Sequence, residues 1–348
     1  MNFLVYGAGA IGGYLGGALA LAGEAVTFIA RPAQAAILNE RGLVVHSPQS
    51  PVSNLRVRAV TSPTEALVPG GDVPSERLYD CLILALKSFD TEAAITDLKA
   101  VGRRVPPILC VQNGVDNEPK LAAAFGAENV IAGTVLTAVA NPELGVIVIE
   151  KNRGVGVWDG YPLSEKIAST LWLGGVPTRL YSNAAAMKWS KLITNLMSNA
   201  TAAICDLSTE AVYAHPGLYE IEVRMMREAL AVMDALRLPV VALPRTPTQQ
   251  LNFALRWLPP KLYQPIIQKL VARGRGDKKP SFHLDLSAGR KRTEVGFLNG
   301  AVARQAEALG LTAPINRALN DALEGIVAGR IAWEEYRGKP EKLARMLE

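Results

Sequence analysis

The glycine pattern at the start of the chain constrains its fold more than any other stretch. Asn2–Tyr6 reads as a short buried strand. Gly7-Ala8-Gly9-Ala10-Ile11-Gly12-Gly13 follows at once and runs into a helix of small residues, Tyr14–Ala22. A G-x-G-x-x-G sequence gains its meaning when it leaves a strand and opens a helix. The first glycine permits the tight turn, the second admits a pyrophosphate close to the backbone, and the third lets the helix approach the strand. The helix start adds unpaired N–H groups and a partial positive charge. Gly7, Ala8, Gly9, Ala10, Ile11 and Gly12 are therefore expected to hold the phosphates of a dinucleotide.

The rest of the first half continues the β pattern. Ala25–Ala30 reads as a second buried parallel strand, ending at Arg31-Pro32. NAD enzymes of this kind carry an acid near that strand end for the ribose 2′-hydroxyl. Arg31 stands there instead, and a guanidinium binds a 2′-phosphate with paired, charge-assisted hydrogen bonds. The expected cofactor is NADP. Asp80–Leu86 reads as a central strand with Lys87 at its carboxyl end, where ligands of such sheets lie, so Lys87 is a second expected phosphate contact. Pro107–Val111 runs into Gln112-Asn113-Gly114, which puts Asn113 at another strand end as an expected cofactor contact. Leu43–His46 and Val57–Val60 read as short strands near the sheet edge, and Val130–Val135, Val146–Ile149, Gly154–Trp158 and Thr178–Leu180 as further strands. From about Asn183 the periodicity turns helical. The fold expected is α/β: a Rossmann-type doubly wound sheet over residues 1–182, then an all-α domain over residues 183–348.

Bulk properties exclude several classes. A length of 348 residues suits two domains, each burying its own core. Three cysteines and three histidines are too few and too scattered for a disulfide framework or a zinc site, so no metal and a reducing, cytoplasmic setting are expected. No Lys or Arg precedes Arg31, which argues against a signal peptide, and no apolar run is long enough to span a bilayer. Between Arg245 and Lys279 eight Lys/Arg face one acid, Asp277, in a chain whose net charge is only +5. Leu251, Leu255 and Leu258, then Leu262, Ile266 and Leu270, recur there at helical spacing broken by Pro259-Pro260.

A second constellation lies in the helical half. Ala186–Ile204 reads as one long helix, with Trp189, Leu192, Ile193 and Leu196 on an apolar stripe. Lys191, Asn195 and Asn199 recur every four residues on another face, among Ser190, Thr194 and Ser198. Amides and hydroxyls around one Lys suit an enclosed polar cavity, although a polar helix–helix seam has the same pattern. Downstream, Ser281-Phe282-His283-Leu284-Asp285 precedes Thr293-Glu294, which sit at the start of an expected helix Val295–Leu309.

Taken in order, GAGAIGG, Lys87, QNG, KWSKLITNLMSN and PSFHLDL…TEVGFLNG resemble the ketopantoate reductase (2-dehydropantoate 2-reductase) family. The resemblance spans the chain apart from about residues 245–279. It implies NADPH-dependent reduction of a 2-oxo acid, with a Rossmann domain followed by a helical one. It also implies roles: Lys191 as catalytic acid, Asn195, Asn199 and Ser281 as substrate contacts, Glu294 as an active-site carboxylate, and Arg31, Lys87 and Asn113 on the cofactor. Ala200 replaces the proline that usually follows the second asparagine, and Gly296 replaces an aspartate. The added basic segment leaves three roles open: a cover for the site, a homodimer contact or a membrane-surface contact. Two other functions compete, a reductase of a bulkier 2-oxo acid and a non-catalytic NADP sensor. The sensor would need none of Lys191, Asn195, Asn199 and Glu294.

Overall fold

Phe3, Leu4 and Val5 of strand β1 (Asn2–Tyr6) are all fully buried, as a strand covered on both faces requires. The computed structural model describes residues 1–48, 50–68, 78–258 and 280–346. Two compact units divide the chain, Met1–Ala184 and Ala185–Glu348.

In the first unit, helix α1 (Ala10–Leu21) follows β1, then come β2 (Ala25–Ile29), α2 (Pro32–Arg41), β3 (Leu43–Ser47), β4 (Ser50–Leu55), β5 (Arg58–Val60) and α3 (Pro63–Leu67). The unit continues through β6 (Cys81–Leu84), α4 (Thr91–Ala100), β7 (Ile108–Cys110), α5 (Asn117–Phe125), β8 (Val130–Val135) and β9 (Ala138–Ala140). It closes with β10 (Val146–Lys151), β11 (Val155–Trp158), α6 (Ser164–Leu173) and β12 (Thr178–Tyr181). The large sheet has the order β12-β11-β8-β7-β6-β1-β2-β5. From β5 to β8 every pair is parallel, whereas β11 runs antiparallel to β8. Chain order therefore reverses between β1 and β6, and the crevice beyond their carboxyl ends is where such sheets bind ligands. Period-two alternation splits the core: Phe3 and Val5 join one apolar cluster with Tyr14 and Leu15 of α1, and Leu4 joins another with Leu98 of α4.

Two expectations are corrected here. Helix α1 begins at Ala10, inside the glycine motif, not at Tyr14. The stretch Leu43–His46, expected near the edge of the large sheet, belongs with β3 to a second sheet of order β4-β3-β10-β9. There β3 pairs in parallel with β10, Val44 opposite Val146. Helix α1 packs against both sheets. A Cβ on Gly16 would stand 2.3 Å from Phe28 of the large sheet, and one on Gly13 would stand 2.5 Å from Ile147 of the small one. Small residues let one helix lie between two sheets.

The second unit is helical. It comprises α7 (Ala184–Leu196, whose first residue belongs to the preceding unit), α8 (Asn199–Cys205), α9 (Thr209–Ala214), α10 (Pro216–Ala235), α11 (Thr248–Trp257), α12 (Ser281–Ser287), α13 (Asn299–Ala308), α14 (Pro314–Val327) and α15 (Pro340–Met346). Helix α10 is its spine. Leu218, Ile221, Met225 and Leu230 bury one side, and Glu228 reaches the start of α14, accepting from the Ile315 and Asn316 N–H groups at 2.9 Å each. That carboxylate satisfies two donors a helix start always leaves over. The first half of the basic segment is helix α11, with Leu251, Ala254 and Leu255 buried and Phe253 and Trp257 outward. Arg256 forks onto Asp234 of α10 at 2.6 and 2.8 Å. The expected second helix, with Leu262, Ile266 and Leu270, lies outside the described residues. No helix among the described residues is long and apolar enough to cross a membrane. Cys81, Cys110 and Cys205 are buried thiols outside any disulfide, and burial pushes the Cys81 and Cys205 thiols up to about 12.

Candidate functional site

Each unit carries its own constellation. In the first, Gly7 has φ +105°, a left-handed conformation natural only to glycine, and its N–H donates to the Ile29 carbonyl at 3.0 Å. A Cβ on Gly12 would lie 1.8 Å from the Gly7 carbonyl oxygen, so this glycine is fixed by the loop's own closure. Gly9 differs: a Cβ there would meet no protein atom within 4 Å. No packing contact inside the chain requires its smallness, and the open space beside it leaves room for a ligand against the main chain. No acid occupies the first turn of α1, and its positive end is left for an anion. Gln34 of α2 donates to the Ala8 carbonyl and ties this loop to the next crossover.

Arg31 is the exposed N-cap residue of α2, one residue beyond the Ala30 that ends the second expected strand. Lys87 is half-buried past the end of β6, and Asn113 is exposed past the end of β7. A network joins these two loops. The buried Gln112 amide donates to the Leu86 and Lys87 carbonyls at 3.1 Å each. The Asn113 carbonyl accepts from Ser88 Oγ at 2.8 Å and from Asn117 Nδ2 at 2.7 Å. Thr91 Oγ1 lies 2.9 Å from Asn117 Oδ1 and 3.2 Å from Gln112 Oε1, beneath both. Ser88, Thr91, Gln112 and Asn117 were not anticipated as positioning groups. Their only sequence signal is being polar beside strand ends. The glycine cradle, the bare helix start and the guanidinium fit a phosphorylated dinucleotide.

In the second unit the expected single helix Ala186–Ile204 is broken. Helix α7 stops at Leu196, and Ser198 takes left-handed angles, φ 49° and ψ 11°, before α8 starts at Asn199. Lys191 and Asn195 remain on α7, both half-buried, while Asn199 leaves their row. Beyond the break Asn199 meets residues 82 and 83 positions away: its Oδ1 accepts from Ser281 Oγ at 3.3 Å and from the Phe282 N–H at 3.1 Å. Lys188, one turn before Lys191, is only 5% exposed, so α7 carries a second cation that the sequence reading passed over.

Glu294 is buried as the N-cap of a 3₁₀ turn, Val295–Phe297. The expected helix Val295–Leu309 is split there, because Leu298 at φ −112° and ψ −85° separates the turn from α13. Beneath Ser281, the buried His283 sits with Nε2 2.5 Å from Asp206 Oδ1 and Nδ1 3.2 Å from Ser287 Oγ. Arg337 Nε donates to the other Asp206 oxygen at 2.7 Å. Burial pushes the Asp206 carboxyl up, but the bonds from Arg337 and His283 outweigh it and hold it below the usual range. This cluster anchors α12 on the end of α8.

A doubly wound sheet with a phosphate cradle at its reversal point, followed by a helical unit bearing a Lys, amides and a buried carboxylate, defines a dinucleotide-dependent oxidoreductase. The family described as Ketopantoate reductase PanE/ApbA matches residues 3–157, and its C-terminal part matches residues 183–327. The chain belongs to the ketopantoate reductase family. It is 28% identical over 325 residues to 2-dehydropantoate 2-reductase of Pyrococcus horikoshii, covering 91% of this chain and 94% of that one. The Archaeoglobus fulgidus enzyme of the same name is 27% identical, covering 93% and 97%. A crystal structure of a PanE/ApbA family ketopantoate reductase from Ralstonia eutropha superposes with a TM-score of 0.78 at 26% identity, covering 95% and 99%. D-mandelate dehydrogenase, solved with NADH and anilino(oxo)acetate, shares the fold with a TM-score of 0.75 at 18% identity, covering 94% and 99%.

Proposed function

We propose that this chain reduces ketopantoate (2-dehydropantoate) to pantoate with NADPH. The observation that carries the reading is the Asn199–Ser281 junction beyond the Lys191 helix. Ser281 donates its proton to Asn199 Oδ1. The Ser281 oxygen then keeps lone pairs for a substrate hydroxyl, and the Asn199 amide keeps its N–H groups for a carboxylate. Ketopantoate offers a carboxylate, a ketone and a hydroxyl, so a neutral donor and a neutral acceptor side by side suit it.

NADPH, when bound, supplies a hydride to the ketone carbon. Gly9, the start of α1, Arg31 and Lys87 would hold its phosphates, and Asn113 its nicotinamide end. Lys191 would stabilise the charge growing on the ketone oxygen and deliver the proton that completes the alcohol. Asn195, one turn along α7, would donate a neutral hydrogen bond to the substrate. Glu294 would fix the substrate hydroxyl or Lys191 itself. The buried thiols, none in a disulfide, suit the cytoplasm, where we place the protein.

NADPH oxidation followed at 340 nm with ketopantoate and a panel of 2-oxo acids tests this. Turnover with ketopantoate should exceed turnover with every other acid. A preference for an aryl 2-oxo acid would reassign the substrate, and no turnover with any would leave the chain a cofactor sensor.

A further inference from the structure

Glu222 of α10 is fully buried, and no step of the proposed reaction uses it. Its carboxylate is aimed at the break between the two candidate asparagines. Oε2 accepts from the Ser198 N–H at 2.7 Å and from Tyr213 OH at 3.0 Å, while Oε1 accepts from Thr201 Oγ1 at 2.6 Å. In an uninterrupted helix the Ser198 N–H would donate to the carbonyl four residues back, at Thr194. The carboxylate takes that donor instead. Ser198 Oγ donates to Thr209 Oγ1 at 3.0 Å, which holds the other side of the same residue. Ser198 is thus kept in a left-handed conformation that a non-glycine residue avoids without such support.

We propose that Glu222 is a positioning residue for substrate binding: it holds the helix break that turns Asn199 out of the Lys191–Asn195 row and onto Ser281. The proposal rests on the reading of Asn199 as a substrate contact. A carboxylate is suited to this place because it accepts on both oxygens and faces three donors from α8, α9 and the break itself. An apolar side chain of similar length would leave the Ser198 N–H buried without an acceptor. The α7 helix would then gain by extending through Ser198, and the Asn199 amide would be re-aimed. Lys191 and Asn195, upstream of the break, would keep their places.

The test is a double-mutant cycle on the full-length protein. Glu222→Met should lower kcat/KM for ketopantoate roughly 5- to 100-fold, the range for one orphaned buried donor. Most of that loss should fall in KM, and NADPH affinity by fluorescence titration should be unchanged. In the Asn199→Ala background the same substitution should cost nothing further, because both act through one contact. Glu222→Gln should stay within about threefold of the parent, since its carbonyl can take the Ser198 N–H and its amide can donate to the Thr201 hydroxyl. If Glu222→Met does not fold, Tyr213→Phe removes one donor from the same carboxylate and should show a smaller loss with the same dependence on Asn199. Equal losses in both backgrounds, or a parallel fall in NADPH affinity, would overturn the proposal and leave Glu222 a core residue. Normal kcat/KM in Asn199→Ala alone would remove Asn199 from the substrate site, and the proposal with it.

Discussion

In the first unit the groups offered to a ligand are mostly main-chain atoms at strand ends and at one helix start. In the second the candidate groups are side chains, one of them, Asn199, lying just past a helix break. On the proposed reading Gly9 contributes by having no Cβ, and the start of α1 by its N–H groups. Asn199, on the reading proposed above, contributes where Ser198 leaves the helix and a carboxylate 24 residues downstream accepts the Ser198 N–H. A site made of backbone is specified by a short motif and tolerates changes around it. A site made of side chains is specified by distant partners and is sensitive to each of them.

The largest expected effect lies on the side-chain half. Lys191→Ala should lower kcat by about 10²–10⁴, the usual reach of a positioned acid, and leave NADPH affinity nearly unchanged. Lys191→Arg should also be poor, because guanidinium is a far weaker acid with a different geometry. Steady-state kinetics with a fluorescence titration of each variant separate the two parameters, and near-normal turnover in a folded Lys191→Ala would remove the lysine from the chemistry. An intermediate effect is expected at Arg31, the side chain proposed to favour NADPH over NADH. Arg31→Ala should weaken NADPH by about 1.5–3 kcal/mol, as for a hydrogen bond to a charged group, and barely change NADH. Equal losses for both cofactors would show that Arg31 does not read the 2′-phosphate. The smallest effect sharpens the backbone side. Gly9→Ala should cost about 1 kcal/mol of NADPH binding, roughly fivefold, with no fall in thermal midpoint. Gly12→Ala should lower the midpoint, because its Cβ must displace the Gly7 carbonyl. A similar fall in midpoint for both would mean that Gly9 serves packing after all.

The same contrast explains what the sequence could and could not reveal. The order of β1, the glycine loop, α1 and β2 is legible because every cue is local: apolar runs, glycines and a helix start within thirty residues. The large sheet follows from such runs repeated. The small sheet does not, because β3 finds its parallel partner β10 about a hundred residues later and short strands look alike whichever sheet they join. The break at Ser198 is invisible to periodicity. Lys191, Asn195 and Asn199 keep a regular spacing of four, and Ser198 is no helix breaker by type. The partners that Ser198 meets at the break, Glu222 of α10 and Thr209 of α9, come from later in the chain. The Asn199–Ser281 contact is equally non-local.

The placement of α1 between two sheets has a consequence for entropy. With Gly12 to Leu19 all buried, the helix has no solvent-facing stripe along which to fray. The amides of that buried stretch are expected to exchange with water through opening of the unit and not through fraying of the helix. The donors at its first turn thus belong to a helix whose body is already held in place before any anion arrives. A phosphate settling there orders almost nothing that is not already ordered, and the free energy of its hydrogen bonds is kept for binding.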